Sequence, residues 1–304
     1  MLAGACIALL LLVLTPDPAW AWGPATHVYL GSALLDSLHL VPEAIRPLLS
    51  TYPFDFLYGS LAADISLAKK YVPEGRHCHH WHVGEEIHDH APNDRLRAVG
   101  LGYLAHLAAD TIAHNFFVPR QLVLTSSTKG LGHGYWEARM DTHLGDEYRR
   151  LARAVVMDHD HAPADALFDE VLSDTLFSFR TNRRIFRGMI RFQDNDRWQS
   201  VFGGIVERSR WTLTDQAVHE YLERSFDYVV DYLSRRSEAI PAKLDPIGDR
   251  HLAMSKQVRR LALRDGAWEK PALLREMADN FFPLPEVPFG HLRALPEGSP
   301  HRLP

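Results

Sequence analysis

Apolar residues recur with a helical period along nearly the whole 304-residue chain. From Val28 to Leu40 they fall on one side of two or three turns, and Pro42 suits the first turn of a short helix ending near Ser50. The longest predicted helix runs from Arg95 to Val118. Asn93 or Asp94 can cap it, Leu96, Val99, Leu104 and Leu107 form its core stripe, and Pro119 should stop it. Gly100 and Gly102 inside it each cost roughly 1 kcal/mol, which predicts another backbone packed closely there. Further helices are expected over His133–Val156, Ala164–Phe179, Asn182–Phe192 and Thr214–Arg235, the last with Val218, Leu222, Phe226, Val229 and Leu233 at spacings of three and four. No run sustains period-two alternation, no hairpin turn joins two such runs, and no internal repeat is visible. The fold class is all-α, a multi-helix single domain.

The N-terminus follows a different rule. Met1–Leu14 is almost wholly apolar, Pro16 and Pro18 break the run, and Ala19-Trp20-Ala21 carries the small residues that signal peptidase reads. The run is shorter than the roughly 18 apolar residues of a membrane anchor. Residues 1–21 are therefore expected to be a cleaved export signal, leaving Trp22 first in a periplasmic or secreted protein. Residues 22–160 then form the helical region with the candidate chemistry, and residues 161–281 form a helical second half. Residues 282–304 hold six prolines and are expected as an extended arm or disordered. Ser126–Gly134 reads as a polar, glycine-rich loop.

Composition narrows the function classes. Hydrophobic residues at 46% and charged residues at 23% argue against long disorder, and the net charge of −5 has the wrong sign for nucleic acid held by the overall field. Two cysteines exclude a disulfide framework, and removal of the leader leaves Cys78 alone. The unusual number is 18 His, of which twelve lie between His27 and His143. That distribution points to a metal protein.

His106, Asp110 and His114 stand at i, i+4 and i+8, on a stripe shared with Val99, Tyr103 and Phe117. Three ionisable groups on an inward face are expensive without strong partners, so metal ligation is preferred to a hydrogen-bonded polar core. His133 and Glu137 repeat the i, i+4 spacing one loop later, where a partner helix would bring them back, with Asp141 in reserve. Alone, that pair reads equally as a capping histidine and a solvated acid. His77, Cys78, His79, His80 and His82, followed by His88 and His90, form a dense tract from which at least one ligand is expected, because zinc wants four. Spacing does not select it. Asp64 lies in an apolar segment and reads evenly as a ligand or a turn residue.

Trp22, His27, Asp64, a histidine near 79, His106-x3-Asp110, His114 and His133-x3-Glu137, in that order, resemble the zinc-dependent phospholipase C family over roughly residues 22–145. The related single-strand-specific nucleases share its helical, trinuclear architecture. The resemblance implies three zinc ions clustered between helices. Trp22 (through its amino nitrogen and carbonyl oxygen), His27 and Asp110 would hold one; Asp110 would bridge to a second on Asp64, His79 and His106; His114, His133 and Glu137 would hold the third. His79 is chosen over His80 and His82 by likeness to His-x-Trp sequences in the family, and Cys78 is taken as a bystander. Asp110 and His114 are four apart, whereas better-known members place six residues with a Gln-Pro between them.

The resemblance implies hydrolysis of a phosphodiester, most simply a glycerophospholipid cleaved to diacylglycerol and a phosphorylated headgroup. Clustered zinc neutralises phosphate oxygens and acidifies the attacking water, and Asp64 would orient or deprotonate that water. Phospholipid or another phosphodiester is the expected partner, with transient membrane-surface contact and no stable nucleic-acid complex. A single-strand nuclease is the first alternative, favoured by the short Trp22–His27 gap and disfavoured by the absence of disulfides. A non-catalytic zinc-binding module is the second, favoured by the shortened Asp110–His114 spacing.

Overall fold

The computed structural model describes residues 22–67, 69–125, 132–266 and 270–304; the expected export signal and residues 126–131 of the glycine-rich loop lie outside the described residues. The first half contains α1 (Pro24–Leu35), α2 (Arg46–Thr51), α3 (Pro53–Ala62), α4 (Trp81–Asp89), α5 (Asp94–Ile112), α6 (Val118–Leu124), α7 (His133–Thr142) and α8 (Asp146–Asp158). The second half adds α9 (Ala162–Val171), α10 (Phe179–Gln193), α11 (Asp196–Glu207), α12 (Asp215–Arg235), α13 (Asp249–Arg264) and α14 (Pro271–Phe281). Among the described residues there is no strand, and no helix is long and apolar enough to cross a membrane.

Helix α5 is the axis of the molecule. Asn93 caps it by accepting the Leu96 N–H at 3.0 Å, and from Leu96 to Ile112 every residue but Arg97 is buried. A helix apolar on all sides must be enclosed on all sides. Helices α3, α4 and α12 supply the enclosure. The two glycines that weaken α5 locally are explained by this packing. A Cβ on Gly102 would lie 2.0 Å from the Phe56 carbonyl oxygen, and one on Gly59 would lie 2.0 Å from that of Val99. Gly100 faces the backbone of His88 in the same way. The backbones of α3 and α5 are thus in contact, and this sets the end of α3, with Ser60 and Asp64, against the middle of α5.

Several expected boundaries move for identifiable reasons. The helix predicted to stop at Pro119 passes instead through a π-helical turn at Ala113–Phe117 into α6, where Pro119 sits in the first turn and its missing N–H is not needed. The helix expected over His133–Val156 breaks after Thr142, at Gly145 with φ +88°. The helix expected to reach Phe179 ends at Val171. Asp141 is not a reserve ligand. Its carboxylate accepts the N–H groups of Ala25 and Thr26, each at 3.1 Å, and the Thr26 hydroxyl at 2.7 Å, so it caps α1 from a distant helix.

The two halves share one hydrophobic core, which runs from Trp22 to Leu303. A smaller cluster of Val123, Val258, Ala278 and Phe282 fastens α13 and α14 to α6. The proline-rich tail lacks helix but is packed, with Leu292, Leu295 and Leu303 buried. Two carboxylates of α12 hold it: Asp227 accepts the N–H groups of Phe289 (2.9 Å), Gly290 (2.8 Å) and His291 (3.0 Å), and Glu223 accepts that of Leu292 at 3.0 Å. Disorder was one expectation for this segment, and these bonds are the physical reason it is absent.

Gly102→Ala should therefore cost at least about 1–3 kcal/mol by overpacking an interface that cannot yield. Gly204→Ala, in α11 with no atom within 4 Å of the new Cβ, should gain roughly 0.4–1 kcal/mol. Urea unfolding midpoints of the two variants test the pair, and a Gly102→Ala protein as stable as the parent would contradict the close crossing.

Candidate metal centre

Helix α1 supplies His27, the turn after α3 supplies Asp64, and the segment before α4 supplies His79. Helix α5 supplies His106 and Asp110. The side chains converge on one point in the interior. His27 Nε2 lies 3.3 Å from Asp110 Oδ1, while His79 Nε2 and His106 Nε2 each lie 3.1 Å from Asp110 Oδ2. The two Nε2 atoms are 3.1 Å apart, and His79 Nε2 is 3.5 Å from Asp64 Oδ1. For metal–nitrogen bonds of about 2.0–2.1 Å, the edge of a ligand tetrahedron is about 3.3–3.4 Å. The observed spacings bracket that edge. The two oxygens of Asp110 face different imidazoles, as a carboxylate shared by two ions requires.

A second group continues from the first. His114 is reached through ring contacts, 6.1 Å from His79 and 5.3 Å from His133 between centroids, and His133 Nε2 lies 2.9 Å from Glu137 Oε1. The four-residue spacing from Asp110 works because the π-helical turn changes the angular advance of the chain at this point. His114 Nδ1 donates to the Pro246 carbonyl at 2.5 Å, and His106 Nδ1 donates to the Ser60 carbonyl at 2.8 Å. In the neutral imidazole each of these bonds fixes the tautomer that leaves Nε2 a bare lone pair aimed into the cluster. Gly248, with φ +68°, makes the Pro246 contact reachable: a side chain there would meet His114 Cβ at 2.5 Å.

Whether these residues fit a cation is tested by their hydrogen bonding. His27 Nε2, both Asp110 oxygens, His114 Nε2, both nitrogens of His133 and Glu137 Oε1 are buried without a hydrogen-bond partner. Each such group costs about 1–3 kcal/mol. Their concentration in one place fits borderline-soft divalent metal, whose preferred donors are imidazole and carboxylate.

Burial opposes ionisation of His106, yet the Asp110 and Asp64 carboxylates hold its pKa above the ordinary histidine value, and His106 in turn holds Asp110 well below the carboxylate range. Burial pushes His27, His79, His114 and His133 down, with the neighbouring Lys69 ammonium adding to the effect on His79. Burial and the Asp64 and Asp110 carboxylates push Glu137 well above its ordinary value. A bound cation would favour the opposite, deprotonated forms of His106 and Glu137.

Trp22 is fully buried, donating its indole N–H to the Ala109 carbonyl at 3.1 Å and packing on Phe117 with centroids 4.8 Å apart. The first described residue is thus anchored beside Asp110. Within the histidine tract His79 reaches Asp64 and Asp110, and His77 stands behind it, its Nδ1 accepting the His79 N–H at 3.1 Å; His80 and His82 stack on each other, and His88 contacts Asp89. Cys78 donates to the Ala63 carbonyl and lies 3.3 Å from His79 Nδ1, with burial pushing its thiol up to about 11. Sequence reasoning missed Lys69, which is buried with Nζ donating to Asp64 Oδ1 at 2.9 Å and lying 3.4 Å from His79 Nδ1. It fixes the orientation of Asp64. Asn115 was missed as well: its side-chain amide donates to the Thr111 and Asp245 carbonyls at 2.9 and 2.8 Å and ties the 245–248 loop to the π-helical turn.

The model of the family described as zinc dependent phospholipase C matches residues 26–183, more than half of the chain, and the chain belongs to that family. No curated protein and no solved structure matches it.

Zinc binding near neutral pH should release protons, because the fold raises the pKa of His106 and Glu137 and a bound cation favours their deprotonated forms. Titration calorimetry in buffers of different ionisation enthalpy reads the release directly, and Glu137→Gln should lower it by about one proton. A release unchanged in the variant would contradict the protonated state of Glu137. For the four buried neutral histidines the sign is opposite. Their folded pKa values lie below 6.5, so the unfolded chain takes up the extra protons and the zinc-free protein loses stability as pH falls through that value.

Proposed function

We propose that the chain is an exported hydrolase that uses three zinc ions to cleave the phosphodiester of glycerophospholipids on the diacylglycerol side, releasing a phosphorylated headgroup. The observation that carries this reading is Asp110, whose two buried oxygens face His27 on one side and His79 with His106 on the other. Family membership supports zinc-dependent phospholipase C-type chemistry. The substrate headgroup is left open.

Trp22, His27 and Asp110 are the proposed donors of one site; Asp110, Asp64, His79 and His106 those of a second; His114, His133 and Glu137 those of a third. Bound zinc supplies Lewis-acid chemistry, drawing charge from the phosphodiester and lowering the pKa of water. The chain's own residues do the rest. Asp64, steadied by Lys69, is placed to orient and deprotonate the attacking water. Asp64 and His133 keep the most exposure in the cluster, 6% and 9%, which supports substrate approach from their side. Cleavage after Ala21 would free the Trp22 amine as a donor, whereas the amide of an uncleaved chain has its lone pair delocalised into the peptide bond.

The short gap between Trp22 and His27 favours a second reading, a single-strand nuclease. Zinc-loaded protein assayed on phosphatidylcholine vesicles and on single-stranded DNA separates the readings. The phospholipase reading predicts diacylglycerol release that stops with chelator and returns with zinc, while Asp64→Asn, which removes a proposed donor and the proposed base together, loses at least about 100-fold in rate. Cleavage of DNA alone would establish the nuclease, and bound zinc without turnover on either substrate would establish a structural module.

A further inference from the structure

Helix α10 departs from the charge pattern of the rest of the chain. Between Phe179 and Gln193 it carries five arginines and no acidic residue, in a protein whose net charge is −5. Phe179, Asn182, Phe186 and Ile190 form its buried side. Arg180, Arg184, Arg187 and Arg191 follow spacings of four, three and four, so they stack along one outward stripe where like charges repel.

Little within the fold offsets that repulsion. Arg183 pairs with Asp165 at 2.6 Å, and Arg187 donates to the Val156 carbonyl at 3.0 Å. Asp194, the acid just beyond the helix, is taken by Arg149 at 2.9 Å and Arg153 at 3.4 Å from α8. Arg180, Arg184 and Arg191 have no carboxylate partner among the described residues. All five arginines of α10 line a single cleft of about 410 Å3, with Met157 at its side. Gly188 also lines it, and a Cβ there would meet nothing within 4 Å. Immediately before the helix, Leu176 and Phe177 stand 59% and 41% exposed.

Unpaired guanidiniums match phosphate oxygens in charge and geometry. Exposed Leu and Phe beside them add the apolar contact that distinguishes a lipid surface from a dissolved anion. We propose that the arginine face of α10, with Leu176 and Phe177, docks the protein on anionic phospholipid surfaces, the guanidiniums on lipid phosphates and the two apolar side chains in the interface. The proposal rests on the phospholipid reading above and adds a preference for negatively charged bilayers. Each basic residue near such a surface adds attraction that salt screens.

The test is co-sedimentation of the zinc-loaded full chain with vesicles of phosphatidylcholine alone and of phosphatidylcholine with phosphatidylserine. Binding is scored without turnover, so a failure of the phospholipase reading cannot pass for a failure of docking. Wild-type protein should prefer the phosphatidylserine vesicles and release them as salt rises. The Arg184→Glu, Arg191→Glu double variant should bind them at least about 30-fold more weakly. Its zinc content should be unchanged and its melting temperature equal or higher, since the new acids relieve repulsion along the stripe. Equal binding by variant and wild type would overturn the proposal. So would tight binding of inorganic phosphate to a wild-type protein that ignores both vesicles, which would mark a small-anion pocket.

Discussion

A carboxylate with no exposure and no hydrogen bond lies at the centre of this molecule. Asp110 can be tolerated there only if positive charge faces it, and the fold brings imidazoles to it from three directions: His27 from α1, His79 from the segment before α4, and His106 from the preceding turn of its own helix. Of the three, only His106 has its pKa held above the ordinary histidine value, while burial pushes the other two down. Neither Asp110 oxygen has a hydrogen-bond donor, an environment that a cation would suit.

That demand propagates outward. To deliver Ser60 and Asp64 to His106, α3 must touch α5 backbone to backbone, and this uses Gly59 and Gly102. To deliver His27, α1 must start at a fixed point, and Asp141 fixes it by capping the first turn from α7. To aim His114, the chain adopts a π-helical turn held by Asn115 and by the 245–248 loop. The second half of the chain is therefore part of the site. Trp81 confirms the connection from the other side, donating to the Leu244 carbonyl at 2.9 Å.

What could be read from residues alone was what side chains and periodicity encode. The His106, Asp110, His114 stripe is a spacing, and Gly100 with Gly102 is a helix defect that only a neighbouring backbone explains. The parts that could not be read depend on backbone atoms or on residues far apart in sequence. The carbonyls of Ser60 and Pro246 have no signature, and nothing in the sequence marks Lys69, five residues after Asp64, as its buried partner. Asp141 has ligand spacing after Glu137, but its bond partners lie more than a hundred residues earlier. The π-helical turn was also hidden, since Pro119 reads as a stop unless the helix is already displaced from its regular register. The tail misled for a related reason: proline content speaks against helix but not against packing, and the carboxylates of Asp227 and Glu223 that hold it belong to another element.

The measurement that tests this account most directly is an anomalous difference map at the zinc edge from crystals of the zinc-loaded protein. The account predicts peaks on both sides of Asp110, one shared with His27 and one with His79 and His106, and a further peak enclosed by His114, His133 and Glu137. A map with no peak on Asp110, its carboxylate still facing a protonated His106, would contradict it.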